Sequence, residues 1–278
     1  MKTYANAKVN LALDVIRRRK DGFHDLDMVM LPVDLADEIE IKRADEDIIE
    51  FTGAQVPEDN TVTRALAELR KIKPISNYKI RVIKRIPEQA GLAGGSADGA
   101  AVLRAVNKLE NLGLTESQLV SIAADVGADV PFCVMNRPCR VRGKGELVEP
   151  FAMDWNVKFV LVKPEAGVST PAAFRSWDED PQPLHDVDLV AQALETGNLE
   201  LLYSTMANAL EPAALDLTPG LEEVVQDMGD AGLVRVMMTG SGSAFMGFSV
   251  DEDVLKEAAR ELSKKYPFVR ITKAGGRL

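Results

Sequence analysis

Glycine and serine residues cluster at two places in the sequence, and both clusters have the composition of a loop that binds a ligand closely. In the first cluster, Gly91, Gly94 and Gly95 precede Ser96. Glycine lets the backbone approach a ligand, and a helix N-terminus offers unpaired N–H groups and the positive end of its dipole. Such a loop in front of a helix would form a phosphate cradle, so we expect the chain to use a nucleoside triphosphate.

The elements on either side of this loop follow from the spacing of their apolar residues. Apolar side chains alternate from Tyr78 to Ile86, which predicts a strand before the loop. Ala97, Ala101 and the apolar residues after them recur at helical spacing, which predicts a helix over residues 96–110. The first cluster therefore lies between a strand and the N-terminus of a helix.

Neither cluster matches the better-known glycine motifs. The first has no lysine after Gly95, as a P-loop requires, and its spacing differs from that of a dinucleotide-binding fingerprint. No His-Arg-Asp or Asp-Phe-Gly sequence of a protein kinase is present. A nucleophile elbow in the second cluster, Gly240-Ser241-Gly242-Ser243, would need a later histidine, and none follows His185. The two loops instead suit phosphoryl transfer, which needs phosphate positioning, a metal ion and a group that orients the acceptor hydroxyl.

Lys8 and Asp129 are charged candidates for such a reaction, although each has a simpler explanation. Residues 7–16 alternate as a half-buried strand with Lys8 on the polar face, and such a face is most often just solvated. Asp129 lies between a helix that ends at Gly127 and an apolar strand over 130–134. It either projects into a cleft or makes a local turn bond, and the residues alone leave both open.

A basic run, Arg17 to Lys20, precedes a turn at Asp21-Gly22 and predicts a hairpin loop. Its charges either add solubility or attract an anionic ligand. His24 follows the turn, and a lone histidine beside an aromatic residue is more often structural than catalytic. No other His or Cys lies at the spacing of a zinc site.

The composition limits the class of protein. The chain has 278 residues, is 46% hydrophobic and carries a net charge of −10, which suits one large domain or two modest ones. An acidic chain lacks the charge of a nucleic-acid-binding protein. Without a signal region or a run of about eighteen apolar residues, we expect a soluble, cytoplasmic protein with no membrane partner. Cys133 and Cys139 are too few for a disulfide framework, so we expect reduced thiols.

The order of predicted elements indicates an α+β fold in two parts. The pattern changes around residues 150–155, where we place a boundary between domains 1–155 and 156–278. The last hundred or so residues read as three helices, two strands, a helix and a strand, typical of an antiparallel α+β domain. Thr218 followed by Pro219 predicts the start of the third of these helices. The oligomeric state stays open between a monomer and a homodimer.

The sequence resembles the GHMP small-molecule kinases along nearly its whole length. The three motifs that carry the resemblance are Ala7-Lys8-Val9-Asn10-Leu11, the Pro87–Asp98 segment with Gly-Leu-Ala-Gly-Gly-Ser, and Thr239-Gly240-Ser241-Gly242-Ser243. Within the family, the sequence most resembles members whose acceptor is a diphosphocytidyl sugar alcohol. The segments that carry this closer resemblance are Gly22-Phe23-His24, Met28-Val29-Met30 and Gly127-Ala128-Asp129-Val130-Pro131-Phe132. The resemblance implies ATP-dependent phosphorylation of the 2-hydroxyl of such a small molecule, with Mg²⁺ bridging phosphate oxygens. It also implies a ribosomal-protein-S5-like N-terminal domain, a ferredoxin-like C-terminal domain and an active site between them.

The resemblance also implies roles for individual residues. Lys8 and Asp129 match the catalytic pair, in which the carboxylate orients or deprotonates the acceptor and the lysine keeps it ionised. Positions expected to bind ATP are Asn60 and Lys84 at the adenine and Pro87, Gly91, Leu92, Ala93, Gly94, Gly95, Ser96 and Ala97 at the phosphates, with Ser96 also at the Mg²⁺. Positions expected to bind the acceptor are Asn10, Phe23, His24, Thr170, Phe174, Gly240, Ser241 and Gly242. Phe23 and Phe174 would stack on the cytosine, and His24 would hydrogen-bond its edge.

Two departures from the family pattern leave alternatives open. Phe23 stands where tyrosine is common, and the glycines usual in the stretch 135–142 are replaced. One alternative is a GHMP-type kinase that acts on another small alcohol. The other is a nucleotide-binding paralogue without catalytic activity, against which the intact Lys8 and Asp129 argue.

Overall fold

The structure, a computed structural model, describes residues 1–53 and 57–275. Its strands are β1 (Lys2–Arg18), β2 (His24–Ala44), β3 (Ile48–Thr52), β4 (Asn77–Ile83), β5 (Cys139–Gly143), β6 (Leu147–Pro150), β7 (Val157–Lys163), β8 (Ala207–Asn208), β9 (Arg235–Met238), β10 (Phe245–Phe248) and β11 (Phe268–Ala274). Its helices are α1 (Thr61–Ile72), α2 (Gly94–Leu109), α3 (Glu116–Val126), α4 (Val130–Met135), α5 (Thr170–Glu179), α6 (Val187–Thr196), α7 (Leu199–Thr205), α8 (Glu211–Leu217), α9 (Leu221–Asp230) and α10 (Glu252–Leu262). Helices packed on a mainly antiparallel sheet form the α+β architecture that the sequence predicts.

Strand β1 is buried on both faces, which its alternating sequence does not predict. The register between β1 and β2 shifts between Asn10 and Ala12, and a shift of one residue turns the later side chains to the opposite face. Val9 accordingly packs in one hydrophobic core and Leu13 in another. Lys8 is only 3% exposed, so the interpretation of its face as solvated is wrong.

Strand β2 joins the two halves of the chain. Apolar runs over 28–33 and 37–42 suggest two strands, but the structure has one long strand. The register of β1 shifts opposite Pro32, and a bulge tolerates proline because the ladder is already interrupted there. Strand β2 pairs with β1, β4 and β5 and, at Val33, with β11. It thereby places the start of the chain beside the C-terminal strands.

The central sheet follows the order β3-β4-β2-β11-β7-β10-β9. Strand β6, in the first half of the chain, ends at Pro150, and β7, which pairs with β10 and β11, begins at Val157. The expected domain boundary falls in this gap and stays a prediction. A short parallel pairing of β1 with β8 also links the two halves.

Two hydrophobic cores hold the elements that carry the site. One contains Leu66 of α1, Val106 of α2 and Ile41 of β2, and the other contains Leu11 of β1 and Leu194 of α6. Burying a side chain of this size stabilises the fold by about 1.5–3 kcal/mol. Helix α2 and strand β1 are therefore held firmly by packing away from their polar ends.

Two local predictions are wrong. Residues 130–134 form the helix α4 rather than a strand. Pro131 lies in the first turn of this helix, where its missing N–H removes no hydrogen bond. Thr218 ends the unpredicted helix α8, and Gly220 caps α9 in its place.

Every helix in the described part of the chain is too short or too polar to cross a membrane. Cys133 and Cys139 are both buried and unpaired.

Candidate active site

A cleft of about 1090 Å³ brings together nearly all of the residues predicted for the site. The predicted residues that line it are Lys8, Asn10, Phe23, His24, Asn60, Lys84, Pro87, Gly91, Leu92, Ala93, Gly94, Gly95, Asp129, Thr170, Phe174, Gly240, Ser241 and Gly242. Ser96 and Ala97 are not among the lining residues, and Ala97 is 1% exposed. Contact of Ser96 with Mg²⁺ stays a prediction.

The phosphate loop (residues 86–96) and the second glycine loop (residues 239–243) lie against each other along the cleft. The N–H of Ser243 donates to the Gln89 carbonyl over 3.1 Å. The N–H of Ala244 donates to the Ala90 carbonyl over 3.3 Å. The second loop therefore supports the first, although the two are far apart in the sequence.

Glycine is required where the two loops touch. Gly91 has a φ of +71°, and a Cβ at this position would overlap the Thr239 carbonyl oxygen. Gly240 has a φ of +58°, and a Cβ there would lie 2.7 Å from the Gly91 carbonyl oxygen and 3.1 Å from Lys8 Nζ. These two glycines thus let both loops close around the lysine.

Helix α2 begins at Gly94, earlier than the apolar spacing predicts. Its N-cap, Ala93, has a left-handed φ of +55°, and no side chain caps the helix. Gly94 and Gly95 line the cleft, so the first N–H groups of a 16-residue helix are available to an anion. This arrangement suits the triphosphate expected at the loop.

Lys8 and Asn10 connect β1 to both glycine loops. Lys8 Nζ donates to Asn10 Oδ1 over 2.7 Å, and the Asn10 N–H donates to Thr239 Oγ1 over 2.9 Å. The Lys8 N–H donates to the Leu92 carbonyl over 3.2 Å. The lysine ammonium is therefore held in a defined place beside the phosphate loop.

Asp129 faces Lys8 from the N-terminus of α4. Its Oδ2 lies 4.0 Å from Lys8 Nζ, and its side chain is 33% exposed. It makes no capping hydrogen bond to α4, so its contacts give the local-turn explanation no support. A carboxylate in this position can accept the proton of a hydroxyl.

Asn60 and Lys84 line the cleft, but their polar groups already have protein partners. Asn60 Oδ1 accepts from the Val62 N–H over 2.9 Å and its Nδ2 donates to the Pro57 carbonyl over 2.8 Å, which caps α1. Lys84 Nζ donates to Asp98 Oδ2 over 2.6 Å. Contact of either residue with adenine stays a prediction.

Asp98 lines the cleft and Asp37 lies behind Lys84, and the sequence assigns no role to either buried carboxylate. Both pair with Lys84, and their side chains are 0% and 2% exposed. Burial raises the pKa of Asp98 to about 7, against the opposing attraction of the Lys84 ammonium. Asp37 alternates along β2 with the buried Leu35 and Ile39, and a carboxylate in such an apolar alternation is the signal that could have identified it.

The other end of the cleft is aromatic. The His24 ring stacks on Phe174 with the centroids 4.6 Å apart and the planes inclined by 20°. His24 Nε2 lies 2.8 Å from Asp178 Oδ1, which holds the ring in place. His24 is 8% exposed, whereas Phe23 is 55% exposed and offers an accessible ring. Sequence reasoning found these three rings but missed Asp178.

Basic side chains line the same end of the cleft. They are Arg18, Lys144 and Arg175. Lys144 Nζ lies 5.4 Å from the centroid of the Phe23 ring, and Arg18 Nη1 lies 3.4 Å from Asp178 Oδ2. Local cations of this kind allow an acidic protein to attract an anionic ligand. Of these three side chains, the basic run Arg17 to Lys20 indicates Arg18 alone.

Thr170 connects the aromatic end to the second glycine loop. Its Oγ1 lies 2.6 Å from Ser241 Oγ, and the two hydroxyls share a hydrogen bond. Both residues line the cleft. The expected acceptor-binding residues of α5 and of the second loop therefore belong to one surface.

Residues 1–53 and 57–275 contain no group of three His, Cys, Asp or Glu side chains that could hold a metal ion. Mg²⁺ at phosphoryl-transfer sites is commonly held by one or two carboxylates together with substrate phosphates and water. The donors in the cleft fit an ion of this kind, held mainly by the phosphate oxygens of a nucleotide.

Two profiles of known protein families match the chain. The profile described as GHMP kinases N terminal domain matches residues 60–137, and the profile described as GHMP kinases C terminal matches residues 190–267. The first match contains the phosphate loop, and the second contains the second glycine loop. Together they cover more than half of the chain.

The chain is similar to known proteins over nearly its whole length. A 4-diphosphocytidyl-2-C-methyl-D-erythritol kinase from Caldanaerobacter subterraneus subsp. tengcongensis is 37% identical over 97% of this chain and 95% of its own. A crystal structure of 4-(cytidine 5'-diphospho)-2C-methyl-D-erythritol kinase is 35% identical, with a TM-score of 0.84 over 99% of this chain and 100% of that one. Homoserine kinase from Cytophaga hutchinsonii has a TM-score of 0.76 at 20% identity over 99% and 94% of the two chains, so it shares the fold alone.

These similarities confirm the α+β GHMP kinase fold that the motifs imply, and they confirm that the protein is a small-molecule kinase. The chain belongs to the GHMP kinase family, in the group whose members are named 4-diphosphocytidyl-2-C-methyl-D-erythritol kinase.

Proposed function

We propose that this protein transfers the γ-phosphoryl group of ATP to the 2-hydroxyl of 4-diphosphocytidyl-2-C-methyl-D-erythritol, a step in non-mevalonate isoprenoid precursor synthesis. The observation that carries the proposal is one cleft lined by the phosphate loop, by Lys8 with Asp129, and by the stacked His24 and Phe174. Only an acceptor that bears a nucleobase would use the aromatic end. The names of the relatives at 35% and 37% identity support the same acceptor.

The geometry suits an in-line displacement at the γ-phosphorus. The N–H groups at the start of α2 would bind the triphosphate. Asp129 would orient the acceptor hydroxyl and take its proton as the new O–P bond forms and the bond to the β-phosphate oxygen breaks. Lys8 would offset negative charge on the transferring group. Bound Mg²⁺ would supply charge neutralisation on the phosphate oxygens.

The aromatic end would select the acceptor by its base. Phe23 offers the more accessible ring for stacking, because Phe174 already stacks on His24. Asp178 engages Nε2 of His24, which leaves Nδ1 for the edge of the base. Arg18 and Lys144 would attract the diphosphate.

The direct experiment measures phosphate transfer from ATP by the purified protein, with each acceptor offered separately. We expect turnover with 4-diphosphocytidyl-2-C-methyl-D-erythritol and none with mevalonate, homoserine or galactose. Turnover with one of the latter three alone would refute the proposed acceptor and favour a kinase for another small alcohol.

A nucleotide-binding paralogue without activity is the second candidate, and it rests on the unusual stretch 135–142. None of these residues lines the cleft. Arg137 pairs with Glu116 over 2.6 Å, and Arg140 pairs with Asp27 over 2.7 Å. The substitutions therefore affect contacts outside the site, which favours the kinase. ATP binding without turnover on any acceptor would reverse this conclusion.

A further inference from the structure

We propose that Asp37 and Asp98 position the phosphate loop through Lys84, so that Lys84 affects the use of ATP through the loop and not by contact with adenine. The inference rests on the proposed use of ATP. Asp37 belongs to β2, Lys84 directly follows β4, and Asp98 belongs to α2. Three elements thus meet at one ammonium group.

The cluster is buried, and its two carboxylates are unequally satisfied. The side chain of Lys84 is 9% exposed and those of the two aspartates are 2% exposed or less. Asp37 accepts from Lys84 Nζ and also from the N–H groups of Arg85 and Ile86, the latter over 2.8 Å. Asp98 Oδ2 accepts from Lys84 over 2.6 Å, but Asp98 Oδ1 is buried with no partner among the described residues. Asp37 is therefore the stronger anchor.

The contacts of the cluster lie at both ends of the phosphate loop. Asp37 holds the backbone of Arg85 and Ile86, where the chain leaves β4 and enters the loop. Gly94 is the first residue of α2, and Lys84 Nζ lies 3.4 Å from the position that a Cβ on Gly94 would occupy. Asp98 adds a contact within the first turns of that helix. The entry and the exit of the loop are thus tied to the same lysine.

This arrangement predicts a kinetic effect that differs from that of an adenine contact. Removing one partner of a buried ion pair leaves an uncompensated charge, and the neighbouring backbone must adjust. A displaced phosphate loop would impair every nucleoside triphosphate equally, because the triphosphate is common to all of them. A lysine that recognised adenine would instead change the preference for ATP over GTP.

The main experiment compares Lys84→Met with the wild-type protein, using ATP and GTP as phosphate donors. We expect kcat/KM to fall roughly 10²-fold for both donors, with their ratio unchanged and KM for the acceptor little altered. Lys79→Met is the matched control, because Lys79 lies on β4 in an exposed pair with Glu50. A changed ratio of ATP to GTP, or wild-type kinetics in Lys84→Met, would overturn the proposal.

A second pair of variants keeps the test independent of the folding of Lys84→Met. Asp98→Asn keeps an oxygen that accepts from Lys84, whereas Asp98→Ala removes it. We expect the asparagine variant to retain most of the wild-type kcat/KM for ATP and the alanine variant to lose roughly tenfold or more. Wild-type kinetics in the alanine variant, or equal losses in both, would contradict a role through Lys84.

Binding of a non-hydrolysable ATP analogue, measured by calorimetry without an acceptor, separates this inference from the proposed function. A wild-type protein that binds the analogue but phosphorylates no acceptor would refute the proposed function alone. Weaker analogue binding in Asp98→Ala than in Asp98→Asn would still support the positioning role. Equal binding of the analogue in the two variants would refute it.

Discussion

Lys8 Nζ lies 4.0 Å from Asp129 Oδ2 and 2.7 Å from Asn10 Oδ1. The lysine comes from β1 and the aspartate from the N-terminus of α4, so two separate elements form the pair. Asn10 restrains the ammonium on the side away from solvent, since its side chain is fully buried. The pair therefore places a carboxylate and a cation together where the two glycine loops meet.

Replacing Asp129 by asparagine should remove the group that accepts the proton of the acceptor. We expect kcat of Asp129→Asn to fall by about 10²–10⁴-fold, with little change in the affinity for ATP. Steady-state kinetics and ATP-analogue binding would measure the two effects. Asp125→Asn is the matched control, because Asp125 is an exposed aspartate of α3. Near-wild-type turnover in Asp129→Asn would show that the carboxylate neither orients nor deprotonates the acceptor.

Gly91→Ala should disrupt the contact between the two glycine loops. Gly91 and Gly113 both have a left-handed backbone, with φ of +71° and +68°. A Cβ on Gly113 would meet no atom within 4 Å, whereas one on Gly91 would overlap the Thr239 carbonyl. Gly113→Ala should lower the free energy of unfolding by about 1–2 kcal/mol, because its backbone conformation disfavours alanine. Gly91→Ala should lower the free energy of unfolding by more than this and should also raise KM for ATP.

Urea unfolding and ATP kinetics of the two alanine variants would test this difference. Because the backbone conformations are matched, the excess effect at position 91 measures the loop contact. Equal loss of stability and an unchanged KM for ATP in both variants would mean that the loops move apart without consequence.

Asp178→Ala should impair recognition of the acceptor by releasing His24. Asp178 Oδ1 lies 2.8 Å from His24 Nε2, and a hydrogen bond to a charged group contributes about 1.5–3 kcal/mol. We expect KM for the acceptor to rise roughly tenfold or more, with KM for ATP unchanged. Glu179→Ala, at an adjacent exposed carboxylate, should leave both constants unchanged. If only KM for ATP rose, His24 would serve the ATP end of the cleft, and its predicted role in binding the acceptor would be wrong.

Glu110 should make the stability of the fold depend on pH in the acid range. Hydrogen bonds from Tyr78 and Ser76, together with Arg43, lower the pKa of Glu110 to about 2 from an ordinary value of 4.5. A carboxylate whose pKa is lowered by folding stabilises the protein above its unfolded pKa and loses that contribution as the pH falls. The contribution should be present at neutral pH and disappear between pH 4.5 and about 2.

Comparison of the wild-type protein with Glu110→Gln would measure this contribution. The difference in unfolding free energy should be constant from about pH 7 to about pH 5 and shrink below that range. Glu257→Gln, which removes an exposed pair with Arg260, should show little difference at any pH. A gap that stays constant on acidification would contradict the lowered pKa.

Much of the site could be identified from local sequence. The phosphate loop was recognisable because glycine content and the apolar periods of its flanking strand and helix are properties of neighbouring residues. Asp129 is a candidate because it lies between predicted elements, but the apolar run after it predicts a strand and forms the short helix α4. An apolar run of that length suits either element, and Pro131 was the clue to the first turn of a helix.

The order of the motifs along the chain was enough to indicate a kinase of this family and its chemical groups. Their arrangement in space depends on contacts between distant residues. Lys8 is buried because both faces of β1 are covered by packing, and Asp37 meets Lys84 only when β2 pairs with β4. Register and packing arise from the whole sheet, since a shift of one residue moves a side chain from one face to the other. The sequence by itself thus specified which residues could do the chemistry, and long-range pairing determined which of them meet.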